Sequence, residues 1–125
     1  MTNQEALALV NRQAQAWQSN DVEAILTDFA ADALFVSPGG RWCGHEQIAA
    51  AVHDFFSVTT DIEIGVTSVL CDGDRCAVEW SWSETRLLDG SQHSADDAII
   101  FTLQNGKIVY WREYIHWHAP TVAGA

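Results

Sequence analysis

The stretch GKIVYWREYIHWH, residues 106–118, decides how this sequence is interpreted, because it reads as an extended strand with one residue out of place. Side chains of a strand alternate between two faces. One face of this strand would carry the apolar residues Val109, Trp111, Ile115 and Trp117. Glu113 falls on that same face, where a carboxylate needs a hydrogen-bond partner, a proton or water, because burying it alone costs several kcal/mol.

Three segments upstream also alternate between apolar and polar residues, over 61–71, 76–87 and 93–103. Turn residues separate them at Gly73, at Asp89-Gly90 and at Asn105-Gly106. Connections this short join only antiparallel neighbours. The second half of the chain therefore predicts an antiparallel meander of four strands.

The same alternation can be used to assign the acids of the other strands to one face of the sheet. Glu84 shares a face with Trp80 and Trp82, and Asp97 shares a face with Ile99 and Phe101. Together with Glu113, three acids from three consecutive strands should therefore lie on the apolar face of the sheet. Two roles of Glu113 remain possible at this point. In a structural role its carboxylate is hydrogen-bonded to a buried partner, and in a functional role it acts on a ligand.

Helical periodicity marks the first half of the chain. Apolar residues recur at helical spacing over 3–19, 22–29 and 44–56, and an extended segment at 34–36 ends at Pro38-Gly39-Gly40. Helices followed by a meander predict an α+β fold in which three N-terminal helices cover one face of an antiparallel sheet. The length of 125 residues fits a single domain over 1–125.

Charge and composition restrict the partners and the location. Seventeen acidic against six basic residues give a formal net charge of -11, which disfavours nucleic acids and anionic membranes. No apolar run approaches the roughly 20 residues of a membrane-spanning helix, and the N-terminus lacks the pattern of a secretion signal. Cys43, Cys71 and Cys76 are expected to be free thiols in a reducing compartment, and the protein to be cytoplasmic.

The other face of the last strand carries a mixture of aromatic and charged residues: Tyr110, Arg112, Tyr114, His116 and His118. Such a surface is typical of a protein interface, so a homodimer through the outer face of the sheet is expected. His116 and His118 permit a metal site, but a pair without a third ligand is weak support for one. Neither a metal nor a cofactor is predicted.

Several short motifs occur in a characteristic order: Trp17, Asn20-Asp21, residues 29–33, Gly44 with Ile48, and Gly106-Lys107-Ile108 before residues 111–114. In this order they resemble the nuclear-transport-factor-2-like fold, and specifically its SnoaL-like branch. The resemblance covers nearly the whole chain. It implies a cone-shaped molecule with a strongly curved sheet and an internal pocket for a small molecule.

The resemblance also allows residues to be compared with known reactions of the fold. Where ketosteroid isomerases have a tyrosine and a general-base aspartate, this chain has Gln13 and Ser37, and Asp97 approximates their protonated aspartate. Glu113 takes the place of an aspartate of limonene-epoxide hydrolases, whose arginine and second aspartate are absent. SnoaL-like cyclases use a single pocket aspartate, a role that Asp97 or Glu113 fits.

Together these observations predict a cofactor-independent enzyme of isomerase, cyclase or epoxide-hydrolase type. Glu113 and Asp97 would act as general acid and base on a hydrophobic substrate, cyclic ones included. The predicted substrate contacts are Gln13, Trp17, Ser37, Phe55, Trp80, Trp82, Trp111 and Trp117. The alternative is a non-catalytic module for ligand binding or dimerisation.

Overall fold

Three helices and six strands follow one another along residues 2–119, the part of the chain that this computed structural model describes. The helices are α1 (Asn3–Gln18), α2 (Val22–Thr27) and α3 (Gly44–Val58). The strands are β1 (Phe29–Ser37), β2 (Gly40–Cys43), β3 (Thr59–Asp72), β4 (Arg75–Arg86), β5 (Gln92–Gln104) and β6 (Lys107–Trp117). No helix of this part of the chain is both long and apolar enough to cross a membrane.

The six strands form one sheet in the order β2-β1-β6-β5-β4-β3. The predicted antiparallel meander is confirmed for β3 to β6. The first strand is longer than the sequence indicated and lies beside β6, to which it runs parallel, so the sheet as a whole is mixed. The predicted α+β class, with helices packed on a curved sheet, is confirmed.

Local sequence accounts for where the helices begin. The side chain of Thr2 accepts a hydrogen bond from the Glu5 amide at 3.1 Å, and that of Asp21 caps α2 in the same way. Gly44 begins α3 with φ of +82°, and a Cβ there would lie 3.4 Å from the carbonyl oxygen of Ala31. A glycine is favoured at this corner because other residues rarely adopt that φ.

The core lies between the helices and one face of the sheet and is rich in aromatic rings. Trp111 is fully buried at its centre, with ring centroids of Phe101, Phe29 and Trp80 at 5.3, 5.9 and 5.9 Å. Trp17 of α1 packs on the ring of Trp82 at 6.0 Å. These contacts fix the helices over the middle strands.

Two bulges correct the simple alternation that the sequence suggested. In β3 the register shifts between Val66 and Ser68, and Leu70 beyond it faces outward with 67% of its surface exposed. In β6 the register shifts around Val109, so that Ile108 rather than Val109 is fully buried. An extra residue in one strand exchanges the faces of the residues that follow.

The prediction of three free thiols is wrong for two of them. Cys71 and Cys76 are directly opposite each other on β3 and β4 and are joined by a disulfide, whereas Cys43 is free and exposed. The hairpin predicted around Gly73 places these two residues opposite each other, so the turn, rather than the spacing of the cysteines, is the sequence feature that indicates the pair.

Candidate functional site

A cavity of about 150 Å³ lies between α1, α3 and the inner face of the sheet. Its walls are mostly apolar, but they include three carboxylates. The lining residues are Trp17, Phe35, Ser37, Trp42, Ile48, Ala51, Val52, Phe55, Trp82, Glu84, Asp97, Glu113, Ile115 and Trp117. A concave, largely apolar site with a few polar groups is the usual form of a small-molecule site.

Each of the three carboxylates accepts a hydrogen bond from the indole N–H of one tryptophan. The pairs are Trp80 with Asp97 at 3.0 Å, Trp82 with Glu84 at 2.9 Å and Trp111 with Glu113 at 3.0 Å. Indole is an apolar ring with one donor, so it can hold a carboxylate in an otherwise apolar wall. The tryptophans thus orient the acids without adding a positive charge.

Strand pairing brings Asp97 and Glu113 close together. Asp97 of β5 lies opposite Ile115 of β6, and Glu113 lies opposite Ile99. The two acids are therefore diagonal neighbours on the inner face, within reach of an electrostatic interaction. Their positions follow from the register of a hairpin that a two-residue turn closes.

Burial raises the pKa of both acids. For Glu113, removal from water raises the pKa from 4.5 to about 7, against the lowering effect of the Trp111 hydrogen bond, and the Asp97 charge adds to the rise. For Asp97, burial raises the pKa to about 6, the Trp80 hydrogen bond opposes this, and Asp96 and Glu84 contribute repulsion. Both acids therefore titrate nearer to neutral pH than free carboxyls do, Glu113 at a higher pH than Asp97.

Glu84 has a different environment from the other two acids. It is 4% exposed, and one of its oxygens lies 3.3 Å from Nε of Arg86. The Arg86 guanidinium in turn lies over the ring of Trp117, 5.3 Å from its centroid. Glu84 therefore has a positive partner at the edge of the cavity.

Two buried polar atoms of the cavity lining have no hydrogen-bond partner among the described residues. They are the indole Nε1 of Trp17 and the Oδ1 of Asp97, in side chains that are 6% and 5% exposed. Buried polar groups are generally paired. Trp17 Nε1 and Asp97 Oδ1 are thus unpaired polar atoms in side chains that line the cavity.

The structure brings seven of the ten predicted site residues together around this cavity: Trp17, Ser37, Phe55, Trp82, Asp97, Glu113 and Trp117. The other three predicted site residues do not line the cavity. Gln13 is bonded through Nε2 to the Ile25 carbonyl at 2.9 Å and to Asp28 at 3.2 Å, outside the lining. Trp80 and Trp111 are buried behind it and reach the site only through the acids they hold.

Sequence reasoning did not include several of the lining residues among the site residues: Phe35, Trp42, Ile48, Ala51, Val52, Glu84 and Ile115. The helical face of Ile48 and Val52 was predicted, but these two residues were not included among the substrate contacts. Glu84 was identified as an inner-face acid. The shared face of Trp82 and Glu84, residues i and i+2 of one strand, was recognised in the sequence, but the hydrogen bond between them is visible only in the structure.

Residues 2–119 contain no group of three His, Cys, Asp or Glu side chains placed to hold a metal ion. The rings of His116 and His118 lie 6.4 Å apart on the outer face. His118 is bonded through Nε2 to Asp96 and through Nδ1 to Ser94, each at 2.9 Å. Both ring nitrogens of His118 are therefore engaged by neighbouring side chains.

Helices covering a curved sheet, with a cavity between them, define the nuclear-transport-factor-2-like cone fold. Residues 10–111 match the SnoaL-like domain family. The chain belongs to this family, and the family predicted from the sequence is confirmed. No curated protein matches the chain in sequence.

Solved structures of the same fold include proteins with different descriptions. A hypothetical protein with a ketosteroid isomerase-like fold from Catenulispora acidiphila, in complex with trimethylamine, superposes with a TM-score of 0.78 at 22% identity, covering 85% of this chain and 83% of the other. A putative polyketide cyclase from Xanthomonas campestris gives 0.81 at 18% identity, with 90% of each chain covered. An epoxide hydrolase of limonene-epoxide-hydrolase type from M. tuberculosis gives 0.77 at 18%, covering 90% and 84%. At these identities the likeness establishes the fold alone.

Proposed function

We propose that this protein is a cofactor-independent enzyme that binds a small molecule in the cavity and moves a proton with Asp97 and Glu113. The observation that carries the proposal is the pair of neighbouring carboxylates on the cavity wall, whose pKa values are raised to about 6 and about 7. General acids and bases act best when their pKa lies near the working pH. At pH 7 Asp97 is suited to accept a proton and Glu113 is suited to donate one.

The size of the cavity supports a compact substrate. A cavity of about 150 Å³ is the size that holds benzene in an apolar protein interior. The substrate we propose is therefore a single ring or a branched chain of similar size, or a longer molecule with only one end inside. Aromatic walls such as Trp82 and Phe55 suit its apolar part.

The alternative function is ligand binding without catalysis. The hydrogen bonds from Trp80 to Asp97 and from Trp111 to Glu113 favour it, because they hold the acids in place as a purely structural network would. One relative of this fold was crystallised with trimethylamine, so binding of a small organic molecule is compatible with the fold. The unpaired Oδ1 of Asp97 supports the catalytic proposal instead, because a purely structural network is expected to pair its buried carboxylate oxygens.

Titration of Glu113 tests the proposal directly. By carbon-13 NMR of the side-chain carboxyl, we expect a pKa of about 7 in the native protein. In Asp97→Asn we expect a lower value, because a neutral amide removes the repulsion that favours the protonated form. Glu79→Gln, an exposed acid on the outer face of β4, should leave the Glu113 titration unchanged.

A Glu113 pKa below about 4 would mean that the acid is locked in its ionised form. In that case a ligand-binding or association role would replace the proposed enzyme. A raised pKa that does not respond to Asp97→Asn would show that the two acids do not act as a pair.

We also propose a homodimer through the outer face of β6. Tyr114 is half exposed there, and the Arg112 guanidinium lies 4.9 Å from the centroid of its ring. An exposed tyrosine with an arginine is typical of an interface centre. Sedimentation at micromolar concentration should give twice the monomer mass, and Tyr114→Glu should give a monomer. A monomeric native protein would contradict this proposal.

A cytoplasmic location stays a prediction. The disulfide between Cys71 and Cys76 is of a kind that persists in oxidising compartments. In the cytoplasm the two residues would be thiols facing each other across the β3–β4 hairpin.

A further inference from the structure

We infer that the cavity selects a small organic cation, a protonated or quaternary amine, as its ligand. This inference rests on the proposed use of the cavity as a substrate site and names the charge of the substrate. It follows from three features of the cavity: the aromatic walls, the excess of carboxylates and the way Arg86 is bound at its edge.

The walls have the composition of an aromatic cage. Six aromatic side chains line the cavity: Trp17, Phe35, Trp42, Phe55, Trp82 and Trp117. Four of the six are tryptophans, whose ring faces attract cations most strongly. A neutral apolar ligand needs no particular ring chemistry, whereas an alkylammonium ion gains from each ring face that it contacts.

The charges of the lining are all of one sign. It contains Glu84, Asp97 and Glu113, and within residues 2–119 no Lys, Arg or His lines the cavity. Arg86 compensates only Glu84, from the edge. The ionised forms of Asp97 and Glu113 thus repel each other in an apolar surrounding, and a cationic ligand is the kind that relieves this repulsion.

Arg86 shows how this wall binds a positive group. Its guanidinium lies over the Trp117 ring at 5.3 Å and contacts the Glu84 carboxylate at 3.3 Å, and both of these partners line the cavity. Asp97 and Trp82 also line the cavity, and Oδ1 of Asp97 has no hydrogen-bond partner among the described residues. An ammonium group that reached this oxygen would provide a partner for it.

Binding of a cation should depend on pH through the acids of the cavity. These are Glu113 on β6, Asp97 on β5 with Asp96 beside it, and Glu84 on β4 with its partner Arg86. The lining residues from α1, α3, β1 and β2 are uncharged. A cation favours ionised acids, so its affinity should rise with pH through the range of about 6 to about 7 in which Asp97 and Glu113 titrate.

The test uses two probes of equal shape and different charge. Choline keeps its charge at every pH, and 3,3-dimethylbutan-1-ol is its neutral isostere, with carbon in place of nitrogen. By isothermal titration calorimetry at pH 8, we expect choline to bind the native protein at least tenfold more tightly. At pH 5 this preference should fall at least threefold, because Asp97 and Glu113 then carry protons.

Two variants test whether the preference for choline over its neutral isostere comes from the acids of the cavity. Glu113→Gln should weaken choline at least fivefold at pH 8 and change the affinity of the isostere less than twofold. Glu79→Gln removes the same charge from the exposed outer face of β4 and should change neither probe, which excludes an effect of net charge alone. Circular dichroism of each variant checks that the fold is kept.

Equal binding of the two probes, tighter binding of the isostere, or no choline binding at millimolar concentration would each overturn the inference. These outcomes are independent of the proposed proton transfer. A Glu113 pKa near 7 without a preference for choline would contradict only the inference of a cationic ligand. A preference for choline with a low Glu113 pKa would contradict only the proposed proton transfer.

Discussion

Glu113→Gln should make the protein more stable at alkaline pH, by about 3 kcal/mol in the free energy of unfolding at pH 8.5. The folded protein holds the Glu113 proton with a pKa of about 7, against 4.5 for a free side chain. The protonated acid therefore contributes stability at low pH, and this contribution is lost as the pH rises through about 7. Glutamine keeps an oxygen for the Trp111 N–H but carries no charge at any pH.

The pH dependence distinguishes this effect from a general gain in packing. At pH 5 the difference in stability between Glu113→Gln and the native protein should fall below about 1 kcal/mol. At that pH Glu113 of the folded native protein is almost fully protonated and therefore as uncharged as glutamine. Urea unfolding at the two pH values measures both differences. Glu79→Gln, the exposed control, should stay within about 0.5 kcal/mol of the native protein at each pH.

An equal or lower stability of Glu113→Gln at pH 8.5 would show that the ionised carboxylate is well solvated or paired in the fold. The predicted gain has a functional meaning as well. A residue that destabilises the fold at working pH is typical of a site in which stability is given up for activity.

Trp111→Ala should destabilise the protein by about 4 kcal/mol, the range for removing a fully buried tryptophan. Trp111 is 0% exposed and lies among the rings of Phe29, Trp80 and Phe101. Alanine would leave a cavity beneath the site wall. Trp117→Ala is the matched comparison, because Trp117 is 40% exposed, and it should cost about 1 kcal/mol. Urea unfolding measures both.

Trp111→Phe separates the ring from its N–H. Most of the packing is retained, so we expect a loss of about 1 to 2 kcal/mol and a folded protein. The hydrogen bond from Trp111 lowers the pKa of Glu113, so its removal should raise that pKa above the native value of about 7. An unchanged Glu113 titration in a folded Trp111→Phe would mean that Trp111 acts only by filling space.

Much of the fold could be predicted from the sequence because local signals, the short turns and the alternation of apolar and polar residues, determine the meander. Short turns such as Asn105-Gly106 fix the pairing of β5 with β6, and alternation fixes the faces of Asp97 and Glu113. The pairing of β1 with β6 could not be obtained in this way. It joins segments far apart in sequence, and no local pattern encodes a contact of that kind.

The site was predictable to the extent that strand parity determines it. The inner-face acids were found this way, whereas Gln13 was assigned by analogy of position and is in fact bonded to Ile25 and Asp28. The cross-strand bond from Trp80 to Asp97 requires the exact register, and the volume of the cavity depends on how the helices lie over the sheet. Neither quantity is contained in a local sequence pattern.

The parallel contact between β1 and β6 also governs when the site can exist. During synthesis β1 emerges first among the strands and β6 last, yet β6 must insert between β1 and β5. A nascent chain that ends before Lys107 leaves two sheet edges unpaired, and the strand that carries Glu113 is still missing. Closing such a long-range contact is slow and exposes apolar edges meanwhile. The cavity therefore lacks Glu113, one of its three acids, until β6 has paired between β1 and β5.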